Sequence, residues 1–163
     1  STEGNLGDGI FPLRNFQELG GKWCIGTDSH IGLNPMEELR ILDYGQRLIS
    51  HKRNTFTSKQ EGNSALYSIE MASTSGRIAG GNFNSEYFKV GAPLDALVFD
   101  ANHPLVATSS EENLANTLLY ASDTSWNLGT LISGKWIVQN GKHFDSENIH
   151  KNFVKAIKEL KSR

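Results

Sequence analysis

The stretch NPMEELRILDYGQRLISHKR, residues 34–53, constrains the fold more than any other part of the chain. Asn34 has a side chain suited to capping a helix, and Pro35 suits the first helical position. Glu37 stands three residues after the cap, where a capping-box acid belongs. At about 100° per residue, Arg40, Asp43 and Arg47 fall on one narrow polar stripe. Ile41, Tyr44 and Leu48 lie to one side of it, and Leu39, Leu42 and Ile49 to the other. An apolar surface that wide belongs to a helix packed between two layers, so a larger body must surround it. Spacings of three and four residues within the stripe predict ion pairs on the helix surface.

Just before this helix, residues 22–27 read as a short buried strand, because Trp23, Cys24 and Ile25 are consecutive and apolar. Cys24 then reads as a small core residue. Further on, residues 64–79 form a second helical segment, weakened by its Ser and Thr content. Residues 94–100 make a strand bounded by Gly and Pro, and residues 111–122 are helical. The run LGTLISGKWIVQNGKHF, residues 128–144, predicts a β-hairpin with turns at 133–135 and 140–141, and with Trp136 in the core. From Asp145 or Ser146 onward, Ile149, Phe153, Ile157 and Leu160 share one side of an amphipathic helix. Lys151, Lys155, Lys158 and Glu159 point away from it. The class is therefore α/β, but one strand with two helices does not close a layered core.

Composition narrows the function. With 163 residues, 37% of them hydrophobic and 21% charged, the chain is long and apolar enough for one ordinary domain or two small ones. A net charge of −2 provides no basic field for nucleic acid or an anionic membrane, so neither is expected as a partner. The single cysteine excludes an internal disulfide. No apolar run approaches the roughly 18 residues of a membrane span, and the expected location is the cytoplasm. The opening STEGNLGDGIFP is loop chemistry, fitting either an exposed arm or the interior of a longer protein.

Chemistry concentrates in Thr27-Asp28-Ser29-His30, at the end of the expected strand. An aspartate there can ligate a metal through oxygen or act as a general base toward water. The competing reading is a polar turn, with Asp28 or Ser29 as a cap and His30 on the surface. Arg40 and Arg47 read as surface ion-pair residues. His51, His103, His143 and His150 have no ligand-like spacing.

Three segments in order, STEGNLGDGIFPL, GTDSH and EELRILDYGQRL, resemble the C-terminal portion of the formimidoylglutamate deiminase family within the amidohydrolase superfamily. LDALVFDANHP and ISGKWIVQNGKHF are similar to the tail that completes a small β-sandwich in such enzymes. The resemblance implies the last strand and helices of a metal-dependent (β/α)8 TIM barrel in residues 1–80. It implies part of the small β-sandwich domain in 81–144 and a C-terminal amphipathic helix in 145–163. Asp28 then falls on the catalytic aspartate that ends the eighth barrel strand, approaches the metal and shuttles a proton. His30 becomes a second catalytic candidate, and Glu3 and Asn5 fall in a loop at the same mouth as substrate-binding candidates. The implied metal is zinc and the substrate a formimidoyl amino acid. The implied reaction turns N-formimidoyl-L-glutamate and water into N-formyl-L-glutamate and ammonia, in histidine degradation. The implied partners are the missing N-terminal part of the same protein and, when complete, a second copy in a homodimer.

The chain departs from that family in one respect. It contains no His-x-His, which the family uses for metal binding, and a complete barrel takes about 250 residues. The expectation is a fragment that is inactive alone. Residues 73–90 are also more polar than the family leads one to expect between barrel and sandwich. Two rivals stand: another deaminase of the superfamily acting on a purine or pyrimidine ring, and a non-catalytic αβ fragment that binds a partner.

Overall fold

The computed structural model describes residues 1–58, 62–83 and 88–163. The chain clusters into two compact units, Ser1–Glu86 with Ala101–Ser125, and Tyr87–Asp100 with Trp126–Arg163.

The first unit is helical. Its elements are α1 (Thr2–Leu6), α2 (Leu13–Glu18), α3 (Pro35–Ser50), α4 (Ser64–Ala79), α5 (Pro104–Ala107) and α6 (Glu111–Ala121). The sequence start that reads as loop, residues 1–12, thus contains one short helix, α1, and α2 follows directly after it. Both long helices begin where an Asn side chain satisfies otherwise free amide groups. Asn34 accepts from the Met36 amide at 3.0 Å, and Asn63 accepts from the amides of Ala65 and Leu66 at 3.1 Å. The Ser content of α4 does not oppose the helix, because Ser64, Ser68 and Ser75 are buried, with Ser68 donating back to the Ala65 carbonyl at 3.0 Å. The core gathers Leu13, Trp23, Leu39, Phe56, Ala65 and Leu119, with Trp23 stacked on Phe56 at 5.5 Å between ring centres. Helix α6 packs on both α3 and α4.

Three expectations change in this unit. Residues 22–27 are not a strand, and among the described residues every strand belongs to the sheet of the other unit. An isolated segment has no neighbour to share ladder hydrogen bonds with, so apolar content alone does not make it a strand. Cys24 is exposed rather than core, since burial alternates along the segment and only Trp23 is fully covered. The polar stripe of α3 turns inward rather than outward. Asp43 is 0% exposed, and Arg40 donates to the carbonyls of Leu119 at 2.9 Å and Ser122 at 2.7 Å, closing the end of α6. Periodicity locates a stripe on a helix but not the direction it faces. Here the unpaired carbonyls at the end of α6 attract the arginine.

The second unit holds a four-stranded antiparallel sheet in the order β1-β2-β3-β4, formed by Ala96–Phe99, Asn127–Ile132, Lys135–Gln139 and Lys142–His143. Both expected turns are present. Ser133 and Gly134, then Asn140 and Gly141, take positive φ in pairs (49° and 76°, 50° and 74°), the tight hairpin geometry that Asn-Gly favours. Asp95 fastens the first turn by accepting from the Ser133 amide at 2.8 Å. Trp136 is 40% accessible and is not a core residue. Helix α7 (Ser146–Lys161) follows, with Ile149, Phe153 and Leu160 exposed. The expected apolar side exists and is mostly exposed, with Ile157 half-buried. Of the polar stretch 73–90, residues 84–87 lie outside the described residues.

Candidate active site

Asp28 sits in a turn formed by residues 28–30, where the His30 amide donates to the Thr27 carbonyl at 2.6 Å. Asp28 and His30 both take positive φ, 36° and 57°, which is uncommon for residues with a side chain and tolerated best by Asp, Asn and His. The Ser29 hydroxyl meets that of Thr2 at 2.9 Å, tying the turn to α1.

Within this first unit a cavity of about 630 Å³ opens beside the turn. Its lining includes the carboxylates Glu3, Asp28 and Glu38, and the apolar side chains Phe11, Trp23 and Leu48. Of the residues singled out from the sequence, the cavity brings Glu3 and Asp28 together. Asn5 and His30 are exposed and are not among its lining residues. Ile41, Tyr44 and Leu48, on the exposed apolar face of α3, all line the cavity.

On the inward side of α3, Asp43 anchors a polar cluster. Its carboxylate pairs with the Arg47 guanidinium at 2.6 Å and accepts from the Tyr120 hydroxyl at 2.6 Å and the Thr55 hydroxyl at 3.1 Å. Arg47 also donates to the Tyr120 oxygen at 2.7 Å, and its guanidinium lies 4.8 Å from the Tyr120 ring centre. Burial, followed by the neighbouring Asp43 carboxylate, pushes the Tyr120 phenol well above its ordinary value. Burial opposes the Arg47 charge, but the hydrogen bond and charge of Asp43 outweigh it and raise the guanidinium further. Tyr44 links this cluster to the cavity, because it lines the cavity and stacks on Tyr120 at 6.1 Å.

Glu38 is the residue that sequence reasoning missed at this site. Its neighbour Glu37 was the acid expected to act at the helix start, yet Glu38 is the one that lines the cavity with Asp28, its side chain 10% exposed. The available signal was a second acid in the first turn of a helix that closely follows GTDSH.

A carboxylate beside an apolar cavity can serve as a proton acceptor or as an oxygen ligand. No group of three or more His, Cys, Asp and Glu able to hold a metal ion occurs among the described residues. Catalytic zinc sites typically take about three protein ligands, more than the described residues bring together here.

Comparison with known proteins gives the arrangement a context. No family model matches the chain. It is 38% identical over 160 residues to formimidoylglutamate deiminase of Pseudomonas aeruginosa, an alignment covering 98% of this chain and 35% of that protein. The resemblance to formimidoylglutamate deiminase stands. The chain is also 30% identical over 162 residues to 5-methylthioadenosine/S-adenosylhomocysteine deaminase of Thermotoga maritima, covering 96% of this chain and 37% of that protein. A crystal structure of an amidohydrolase from Brucella melitensis superposes with a TM-score of 0.84 at 31% identity, covering 98% of this chain and 34% of that one. The chain therefore spans little more than a third of the length of formimidoylglutamate deiminase and of the other curated relative. No helix among the described residues is long and apolar enough to cross a membrane.

Proposed function

We propose that the chain is the C-terminal portion of a cytoplasmic amidohydrolase that hydrolyses N-formimidoyl-L-glutamate to N-formyl-L-glutamate and ammonia. The observation that carries this reading is the 38% identity to formimidoylglutamate deiminase along 98% of the chain. The position of Asp28 at the edge of an apolar-lined cavity supports it. In this reading residues 1–80 belong to a TIM barrel, 81–144 to a small β-sandwich and 145–163 to a terminal helix. The remainder of the protein covers the α3 face, and the complete enzyme is a homodimer.

The chemistry assigned to this chain is proton transfer. Water adds to the formimidoyl carbon and its proton passes to the Asp28 carboxylate. Asp28 returns that proton to the imino nitrogen and then relays the remaining hydroxyl proton to the same nitrogen as the carbon–nitrogen bond breaks, so that ammonia leaves and the formyl carbonyl remains. One carboxylate thus acts as base and then as acid. Glu3, on the same cavity, is placed to meet the substrate, with Asn5 and His30 as outer candidates. Zinc, which acidifies water when bound, needs donors beyond Asp28, so the chain alone is inactive.

The 30% identity to a deaminase named for an adenosine substrate favours a second reading, hydrolysis of an amino group on a purine ring. One experiment separates the two. The intact mass of the expressed protein is measured first, and ammonia release is then assayed with formimidoylglutamate and with 5-methylthioadenosine. The proposal expects a polypeptide much longer than 18.0 kDa that releases ammonia from formimidoylglutamate. Release from the nucleoside alone, or activity from the 18.0 kDa chain by itself, overturns it.

A further inference from the structure

Helix α2 borders two cavities of the first unit. Leu13 and Phe16 line the one beside Asp28, whereas Arg14 and Gln17 line a second, of about 480 Å³. Residues three apart share a helix face, so α2 gives an apolar side to one cavity and a polar side to the other. The two have no lining residue in common, and the proton transfer assigned to Asp28 makes no use of the second.

The second cavity is basic in a chain of net charge −2. Arg14, Lys52 and Arg53 line it against one carboxylate, Glu18, so positive charge is in excess by two. Glu18 lies 3.8 Å from Arg14 in an i,i+4 pair with side chains 39% and 68% exposed, a contact worth little in water. Among the described residues neither Lys52 nor Arg53 has a carboxylate partner. They stand between His51 and Asn54, both of positive φ (55° and 52°), so the chain bends on either side of the pair. Cations just past the end of α3 also offset the partial charge of its last carbonyls, which accounts for Lys52 and Arg53. It does not account for Arg14, which comes from another helix.

Nor does it account for Gln17. The Gln17 Nε2 donates to the Tyr67 hydroxyl at 3.0 Å, while its Oε1 is buried with no hydrogen-bond partner. A buried polar atom left unpaired calls for an explanation. The opposite amide orientation lets the Tyr67 hydroxyl donate to Oε1 and turns the Nε2 hydrogens to the unpaired position, where only an acceptor satisfies them. An anion oxygen is such an acceptor, and Tyr67 lines the same cavity.

We propose that this cavity binds a phosphate group, with Arg14, Lys52 and Arg53 as its counter-charges and Gln17 as a further donor. Two guanidinium forks and one ammonium fit a dianion with several oxygens better than a single carboxylate.

The test uses the complete protein that contains this chain. Inorganic phosphate, glycerol phosphate and acetate are titrated by calorimetry at constant ionic strength, because salt screens exposed charges. The variants are Arg14→Gln, Arg53→Gln and, as a charge control, Lys155→Gln, which removes one positive charge from α7 and none from the cavity. Phosphate should bind saturably, and each arginine change should weaken it about tenfold or more, with Lys155→Gln within about twofold of the parent. Phosphate should also raise the urea midpoint of the parent but not of Arg14→Gln, whose midpoint without phosphate should match the parent because Arg14 is partly exposed. Equal affinity for the two phosphates assigns the site to the free anion, and tighter glycerol phosphate assigns it to a phosphate monoester. No saturable binding below about 10 mM overturns the proposal. So does acetate binding as tightly as phosphate, or weakening by Lys155→Gln equal to that by the arginine variants. Ammonia release enters none of these readouts, so failure of the proposed reaction and failure of this site are separate outcomes.

Discussion

Replacing Asp43 by Asn keeps the shape of a fully buried side chain and removes its charge. In the unmodified chain that charge is shared among the Arg47 guanidinium, the Tyr120 hydroxyl and the Thr55 hydroxyl. After the change, an amide nitrogen must face one of these three donors, and Arg47 loses its counter-ion. Removing one partner of a buried pair costs about 3–5 kcal/mol when the other charge stays uncompensated. The Arg47 side chain is 21% exposed and can recover part of its hydration, which places the expected loss near the lower end, about 3 kcal/mol. Against a typical domain stability of about 5–15 kcal/mol, that is a large fraction. Urea unfolding followed by circular dichroism should show a midpoint lower by about 1–3 M at unchanged slope. The variant Asp43→Asn/Arg47→Met should lose less than the sum of the two single changes, because the stranded charge is then gone. A loss below about 0.5 kcal/mol for Asp43→Asn, or strict additivity in the double variant, would refute the view that this cluster holds α3 to α6.

Three other outcomes follow from the same structure. Asn34→Ala should cost about 1 kcal/mol in the same urea assay, because the Met36 amide loses its acceptor. Tyr120 is shifted upward, so the folded chain holds its phenol proton more tightly than the unfolded chain does. Its stabilisation is complete below the unfolded value of about 10 and is lost as pH rises through the folded value, so absorbance titration should find one tyrosine ionising later than the others. Asp28→Asn in the complete protein should reduce ammonia release by about 10²–10⁴-fold, with urea stability within about 0.5 kcal/mol of the parent because Asp28 is exposed.

The elements legible in the sequence are those whose signals are local. Asn34 and Pro35 mark the start of α3, the paired turn residues mark the hairpin, and the apolar spacing from Ile149 to Leu160 marks α7. What escaped reading depends on partners far away along the chain. Asp43 is satisfied by Tyr120, 77 positions later, and nothing near Asp43 announces that contact. The same distance explains the inverted stripe, because the carbonyls that draw Arg40 inward belong to Leu119 and Ser122. Residues 22–27 failed as a strand for a related reason, since a strand is defined by the neighbour it bonds to and not by its own side chains. At the candidate site, Asp28 was visible through its polar neighbours. Glu38 was not, because its place on the cavity with Asp28 comes from how α3 folds back beside the turn.

The route of the chain between the two units has a consequence for dissecting it. The backbone passes from one unit to the other at 86–87, 100–101 and 125–126. A chain ended at residue 100 would keep β1 but lose β2, its antiparallel partner, and the first unit would lose α6. A chain begun at residue 101 would strand α6 without α3 or α4 and leave β2 without β1. A single scission anywhere in residues 101–125 likewise divides elements that both units need. Limited proteolysis there should therefore yield two pieces that stay associated or unfold together, never two free folded halves.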